Sequence, residues 1–94
     1  MNRKKLNKLG LELSQRRRAP QKAESLESLA IRLGRKKFRG KRGKEPIWLS
    51  DVFDDLPPLS IPHHGGRDLA PGTRDSILDQ LEDDWRAWDM TLDD

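Results

Sequence analysis

Apolar residues recur along the chain with helical spacing at both ends and with short, broken runs between. Leu6, Leu9 and Leu13 stand three and four residues apart, so an amphipathic helix is predicted from about Arg3 to Arg17, weakened in its middle by Gly10. The run Arg16 to Arg18 repels itself and Pro20 disfavours helix at Ala19, which ends that segment. Taken alone, these residues fit either an extra helix or a disordered extension. Leu26, Leu29, Ala30 and Leu33 make a second stripe, and Gly34 stands where a helix C-terminus needs a left-handed residue. Three strand candidates follow, Lys36 to Arg39, Pro46 to Ser50 and Leu59 to Ile61. Gly40 to Gly43 supplies the glycines of a hairpin loop between the first two, and the acidic, proline-containing segment Asp51 to Pro58 separates the last two. Pro46 is tolerated only at the start of a strand or at a sheet edge. A last helix is predicted from Pro71-Gly72-Thr73, with Thr73 as N-cap and Asp75 in the first turn, where the helix dipole favours an anion. Its residues Ile77, Leu78, Leu81, Trp85 and Trp88 share one face, with acids on the other.

Helix, three strands and helix in that order predict an α+β fold: a small three-stranded antiparallel sheet packed by two helices, with the extra N-terminal segment in front. Residues 1–20 read as a basic N-terminal extension, and residues 21–94 as the α+β domain with an acidic C-terminal tail. That tail either folds back on basic residues, offers a surface to a partner, or extends into solvent.

Composition narrows the functional classes. Of 94 residues, 33% are hydrophobic and 37% charged, so one small core is all the chain can build. Cysteine is absent, which excludes disulfide scaffolds, thiol nucleophiles and cysteine-based zinc sites. No apolar run is long enough to cross a bilayer, and the N-terminus lacks the unbroken apolar stretch of a signal peptide, so a cytoplasmic location is the default. The net charge of +3 conceals an asymmetry: residues 1–44 hold 16 Lys/Arg against 3 Glu, and residues 45–94 hold 3 Arg against 13 Asp/Glu. A basic half of that density suits a polyanion, because each phosphate neutralised releases counterions. The plainer alternative is that the two halves attract one another.

Two groups of residues carry candidate chemistry. Arg35, Lys36, Lys37, Arg39, Lys41, Arg42 and Lys44 place seven cations in ten residues around Phe38. On a strand and hairpin loop they form a patch suited to an RNA backbone, or to an acidic protein partner. His63 and His64 lie between the last strand and the last helix, with Arg67 close by as a phosphate ligand. In one reading a histidine of this pair acts as acid, base or RNA-stacking group; in the other both are loop residues before Gly65-Gly66. Two adjacent histidines offer a metal only two ligands, so no metal site and no cofactor are expected. Trp85 and Trp88 are placed for packing, whereas the facing of Trp48 is open.

The stretch "SIPHHGGRDLAPGTRDSIL" closely resembles the C-terminal signature of HicA-like mRNA interferase toxins. The matching positions are Ile61-Pro62, His63 or His64, Asp68-Leu69, Pro71-Gly72-Thr73 and Ile77-Leu78. "LESLAIRLGRKKFRGKRG" is similar to that family's first helix, Leu-Gly turn and first strand, so the resemblance covers roughly Leu26 to Leu81. It implies a fold like a double-stranded RNA-binding domain, a metal-independent endoribonuclease (a hydrolase acting on mRNA within a toxin-antitoxin system), and a HicB-like antitoxin as partner. One departure stands out. Where the family has the histidine credited with catalysis, this chain has Glu45, after Lys44. Cleavage of this kind needs a base for the 2′-hydroxyl, an acid for the leaving oxygen and a cation for the phosphorane. Lys44 and Arg42 favour the ionised form of Glu45 and make it a weak base, so His63 and His64 are the remaining acid–base candidates beside it.

Overall fold

The computed structural model describes residues 1–39, 46–62 and 65–92. The expected α+β architecture is present: helix α1 (Arg3–Arg16), α2 (Ala23–Arg32), β1 (Arg35–Phe38), β2 (Ile47–Ser50), β3 (Leu59–Ser60) and α3 (Pro71–Thr91). The strands form one antiparallel sheet in the order β1-β2-β3. Among the described residues the helices pack on one of its faces and leave the other bare.

The N-terminal segment is a helix and part of the same body. Asn2 caps it by accepting from the Lys5 amide at 2.8 Å, and Leu6, Leu9 and Leu13 are buried against the rest of the chain. Gly10 does not break it, and its bare Cα leaves room for Trp85 of α3. A Cβ at Gly10 would lie 3.0 Å from Trp85 Nε1, and that indole donates to the Leu6 carbonyl at 2.7 Å. Ion pairs add to the clamp: Arg3 meets Asp89, Arg17 meets Asp79 and Glu82, and Arg32 of α2 holds Glu12 of α1 with two bonds of 2.6 and 3.0 Å.

The second helix follows its predicted stripe. Leu26, Leu29, Ala30 and Leu33 are buried, and Gly34 adopts φ 100° to turn the chain into β1, a conformation that costs little only for glycine. At α3 the start differs from expectation. The N-cap is Ala70, with no side-chain capping bond, and Pro71 occupies the first turn. Thr73 therefore lies inside the helix, and the first turn holds no acid. Proline suits that position because its φ is already helical and its missing N–H would have no intrahelical partner. Asp75 instead meets the neighbouring Arg74 at 3.0 Å.

The segment from Asp51 to Pro58 is tied down as well. Ser50 Oγ accepts from the Val52 and Phe53 amides, and Phe53 packs edge-on against Trp88 with ring centroids 5.1 Å apart. Trp88 in turn donates to the Leu33 carbonyl at 2.7 Å, so both α3 tryptophans serve packing.

Candidate nucleic-acid interface

Strand pairing decides which of the expected basic residues can meet a ligand. Arg35 pairs with Ser50, Lys36 with Leu49, Lys37 with Trp48 and Phe38 with Ile47. Directly opposed residues share a face, so Arg35, Lys37, Trp48 and Leu59 look toward the helices. Lys36, Phe38, Ile47, Leu49 and Ser60 look outward.

Arg35 therefore does not belong to an RNA-binding patch. It is 2% exposed and beneath the sheet. Its Nε donates to Asp84 Oδ2 at 2.6 Å and its Nη2 to Asp84 Oδ1 at 2.8 Å, while Nη1 donates to the carbonyls of Trp48 and Pro57. Asp84 is itself fully buried, and burial pushes its carboxyl above the ordinary aspartate range, with the Arg35 guanidinium opposing that rise. The pair binds β1, β2, the following segment and α3 at one point. Its signal in the sequence is an acid inside an apolar stripe: Asp84 lies three residues after Leu81 and seven after Ile77.

The exposed cations of β1 are differently placed. Lys36 is on the outer face and reaches Asp51 at 3.1 Å, with both side chains more than half exposed. Such a pair contributes little and leaves the lysine available. Lys37 lies at the sheet edge, 3.9 Å from Glu27 and 5.9 Å from the centre of the Trp48 ring. Trp48 faces the core at 3% exposure, and its Nε1 has no hydrogen-bond partner among the described residues. Arg39, just past β1, is exposed and forms no ion pair among the described residues.

Lys41, Arg42, Lys44, Glu45, His63 and His64 lie outside the described residues. Their flanks are informative nonetheless. In an antiparallel sheet β1 ends, β2 begins and β3 ends on the same side, and Phe38, Ile47 and Ser60 are neighbours there. Arg39, Pro46 and Pro62 thus leave from one end of the sheet. The N-terminus of α2 borders it: Lys22 bridges to Asp68, its Nζ donates to the Gly66 carbonyl at 2.7 Å, and the Leu69 amide donates to the Gln21 carbonyl at 2.8 Å. Gly65 and Gly66 turn the chain there with φ 53° and 85°, and Arg67 is exposed beside them.

Charge is distributed accordingly. The acids of α3 meet Arg3, Arg17 and Arg35, so that half of the chain neutralises α1 and the sheet's buried arginine. Among the described residues none of them pairs with the exposed cations at the end of β1. No group of three or more metal-ligating side chains occurs among the described residues, and no helix among them is long and apolar enough to cross a membrane. Compared with protein-family models, curated proteins and solved structures, the chain matches none.

Proposed function

We propose that this chain binds RNA at the end of the sheet from which Arg39, Pro46 and Pro62 depart, and that it is a HicA-like toxin whose partner is a HicB-like antitoxin. The observation that carries the reading is topological. One side of a three-stranded sheet collects the exit of the basic β1–β2 connection, the exit of β3 toward the two histidines, and the exposed Arg39 and Arg67. Cations for phosphate and imidazoles for acid–base chemistry thus belong to adjoining segments of chain, as transesterification of RNA requires. Among the described residues the α3 acids Asp79, Glu82 and Asp89 pair with Arg17 and Arg3 rather than with these cations. On this reading Lys36, Lys37, Arg39, Lys41, Arg42, Lys44 and Arg67 hold phosphates, and His63 or His64 moves protons.

A binding module without turnover is the second reading, and Glu45 favours it, since it stands where the resembled family has its histidine. One experiment separates the two. Labelled structured RNA is incubated with the full chain and with the His63→Ala/His64→Ala variant, with and without EDTA. Cleavage that survives EDTA and is lost in the variant supports the toxin. Salt-sensitive binding without cleavage supports the module. Absence of salt-sensitive binding refutes both.

A further inference from the structure

The outer face of the sheet has the wrong chemistry for a surface that meets only water. Antiparallel sheets with one face packed on a core carry polar residues on the other. Here Phe38 is 52% exposed, Ile47 41% and Leu49 36%, and they are adjacent rather than scattered. Phe38 lies directly opposite Ile47 and Lys36 directly opposite Leu49, so the four side chains form one block. An exposed apolar cluster of this kind marks a contact surface.

Its size and charge restrict what the contact can be. Strands of four, four and two residues make a face of about 13 by 14 Å, or on the order of 200 Å². A specific protein interface needs about 800 Å² per partner, so neither a second copy nor a folded protein is held by this face alone. Cations border the block: Lys36 is part of it and Arg39 follows Phe38 directly. The ligand is therefore anionic with a small flat apolar part. A duplex keeps its bases inside the stack and presents phosphates and 2′-hydroxyls, for which an aromatic and two aliphatic side chains have no use. An unpaired strand presents both phosphates and the π-faces of its bases.

We infer that the outer face of the sheet is a stacking platform for single-stranded RNA, on which one or two bases lie over Phe38, Ile47 and Leu49 while Lys36 and Arg39 hold the adjoining phosphates. This rests on the RNA-binding reading above and adds to it the strand state of the ligand and the mode of contact.

The test measures binding of a fluorescent 12-nucleotide unpaired RNA and of a 12-base-pair RNA duplex to the full chain, across a range of salt concentrations. Phe38→Ala, Phe38→Tyr and Lys36→Ala are compared with wild type. Phe38 is half exposed, so its variants retain the fold, which far-UV circular dichroism checks. Stronger binding of the unpaired RNA is expected. Phe38→Ala weakens it by about five- to 150-fold, the loss of one base–aromatic stack, with the salt dependence unchanged and with Phe38→Tyr restoring affinity. Lys36→Ala lowers the slope of log affinity against log salt by about 0.7, one phosphate contact on a single strand. Unpaired RNA bound equally by wild type and Phe38→Ala, or duplex bound more tightly, overturns the platform and leaves RNA binding standing. No salt-sensitive binding of either RNA overturns both. Sedimentation equilibrium covers the remaining occupant: a dimer that Phe38→Ala dissociates makes the face a self-interface and also overturns the platform.

Discussion

Removing one member of the Arg35–Asp84 pair tests the packing account most directly. In Asp84→Ala, the Arg35 guanidinium keeps its bonds to the Trp48 and Pro57 carbonyls but loses both carboxylate bonds and its only counter-charge among the described residues, in a site 2% exposed. Breaking a buried pair from one side costs about 3–5 kcal/mol. A domain of this length has about 5–14 kcal/mol in total, so about a fifth of the stability or more is at stake. Urea unfolding followed by tryptophan fluorescence measures it as a midpoint lowered by about 1.5–5 M, given a slope of about 1–2 kcal/mol per molar for a small domain. Replacing both partners by apolar residues, Arg35→Met/Asp84→Leu, restores most of the loss, because the desolvation cost of both charges goes with them. The complementary single change has a pH signature. In Arg35→Met the guanidinium no longer opposes the effect of burial on Asp84, so its carboxyl rises further above the unfolded value of about 3.9. An acid whose pKa is raised on folding adds stability below the unfolded value and loses it as pH rises through the folded one. Arg35→Met is thus most stable in acid and weakens toward neutrality relative to the double variant. A cost below about 1 kcal/mol for Asp84→Ala, or a flat pH profile for Arg35→Met against the double variant, would refute the assignment of Arg35 as a buried structural charge.

Three further predictions concern the other fastenings. Gly10→Ala raises helix propensity by about 1 kcal/mol yet lowers the thermal midpoint by several degrees, because the added Cβ meets Trp85 at 3.0 Å and displaces its bond to the Leu6 carbonyl. Gly34→Ala lowers stability by about 1–2 kcal/mol in chemical denaturation, since φ 100° is strained for alanine and Val52 Cγ2 lies 3.1 Å from the new carbon. The Arg32 guanidinium holds the Glu12 carboxyl below its usual range. That depressed group contributes above the unfolded pKa and loses its effect as pH falls through the folded one. Glu12→Gln therefore costs about 0.5–1 kcal/mol at pH 7, as expected for a part-exposed pair, and its unfolding midpoint converges with wild type as pH falls through that lowered pKa.

How far the fold could be read ahead of the structure depended on how each element is specified. The stripe of α2 and its closing Gly34 carry their own period and stop signal, and both stand as expected. For α3 the apolar face was legible while the start was not. Thr73 offers a good cap, but Pro71 is already compatible with the first turn, and the helix begins there. Gly10 counted against α1 on propensity alone, because the reason for a glycine at that position is an indole 75 residues further along. The candidate interface divides in the same way. The cluster of cations from Arg35 to Lys44 is visible in the letters, but adjacent residues of a strand face opposite sides, so the register in which β1 pairs with β2 decides which cations are outside. The strand runs from Arg35 rather than Lys36, opposite Ser50, and Arg35 is drawn inside by Asp84.

By itself, the sequence determined the number and order of the α2, strand and α3 elements, the absence of cysteine chemistry, and the separation of a basic half from an acidic one. These are local or compositional properties, legible from spacing, turn residues and charge. Tertiary structure alone decided that α1 is part of the body, that α3 spends its acids on Arg3, Arg17 and Arg35, and that Phe38, Ile47 and Leu49 share an uncovered face. Each of these depends on residues far apart in the chain meeting in a particular register. Pairing register and the choice of which charge to bury are properties of the packed whole, and no window of sequence contains them.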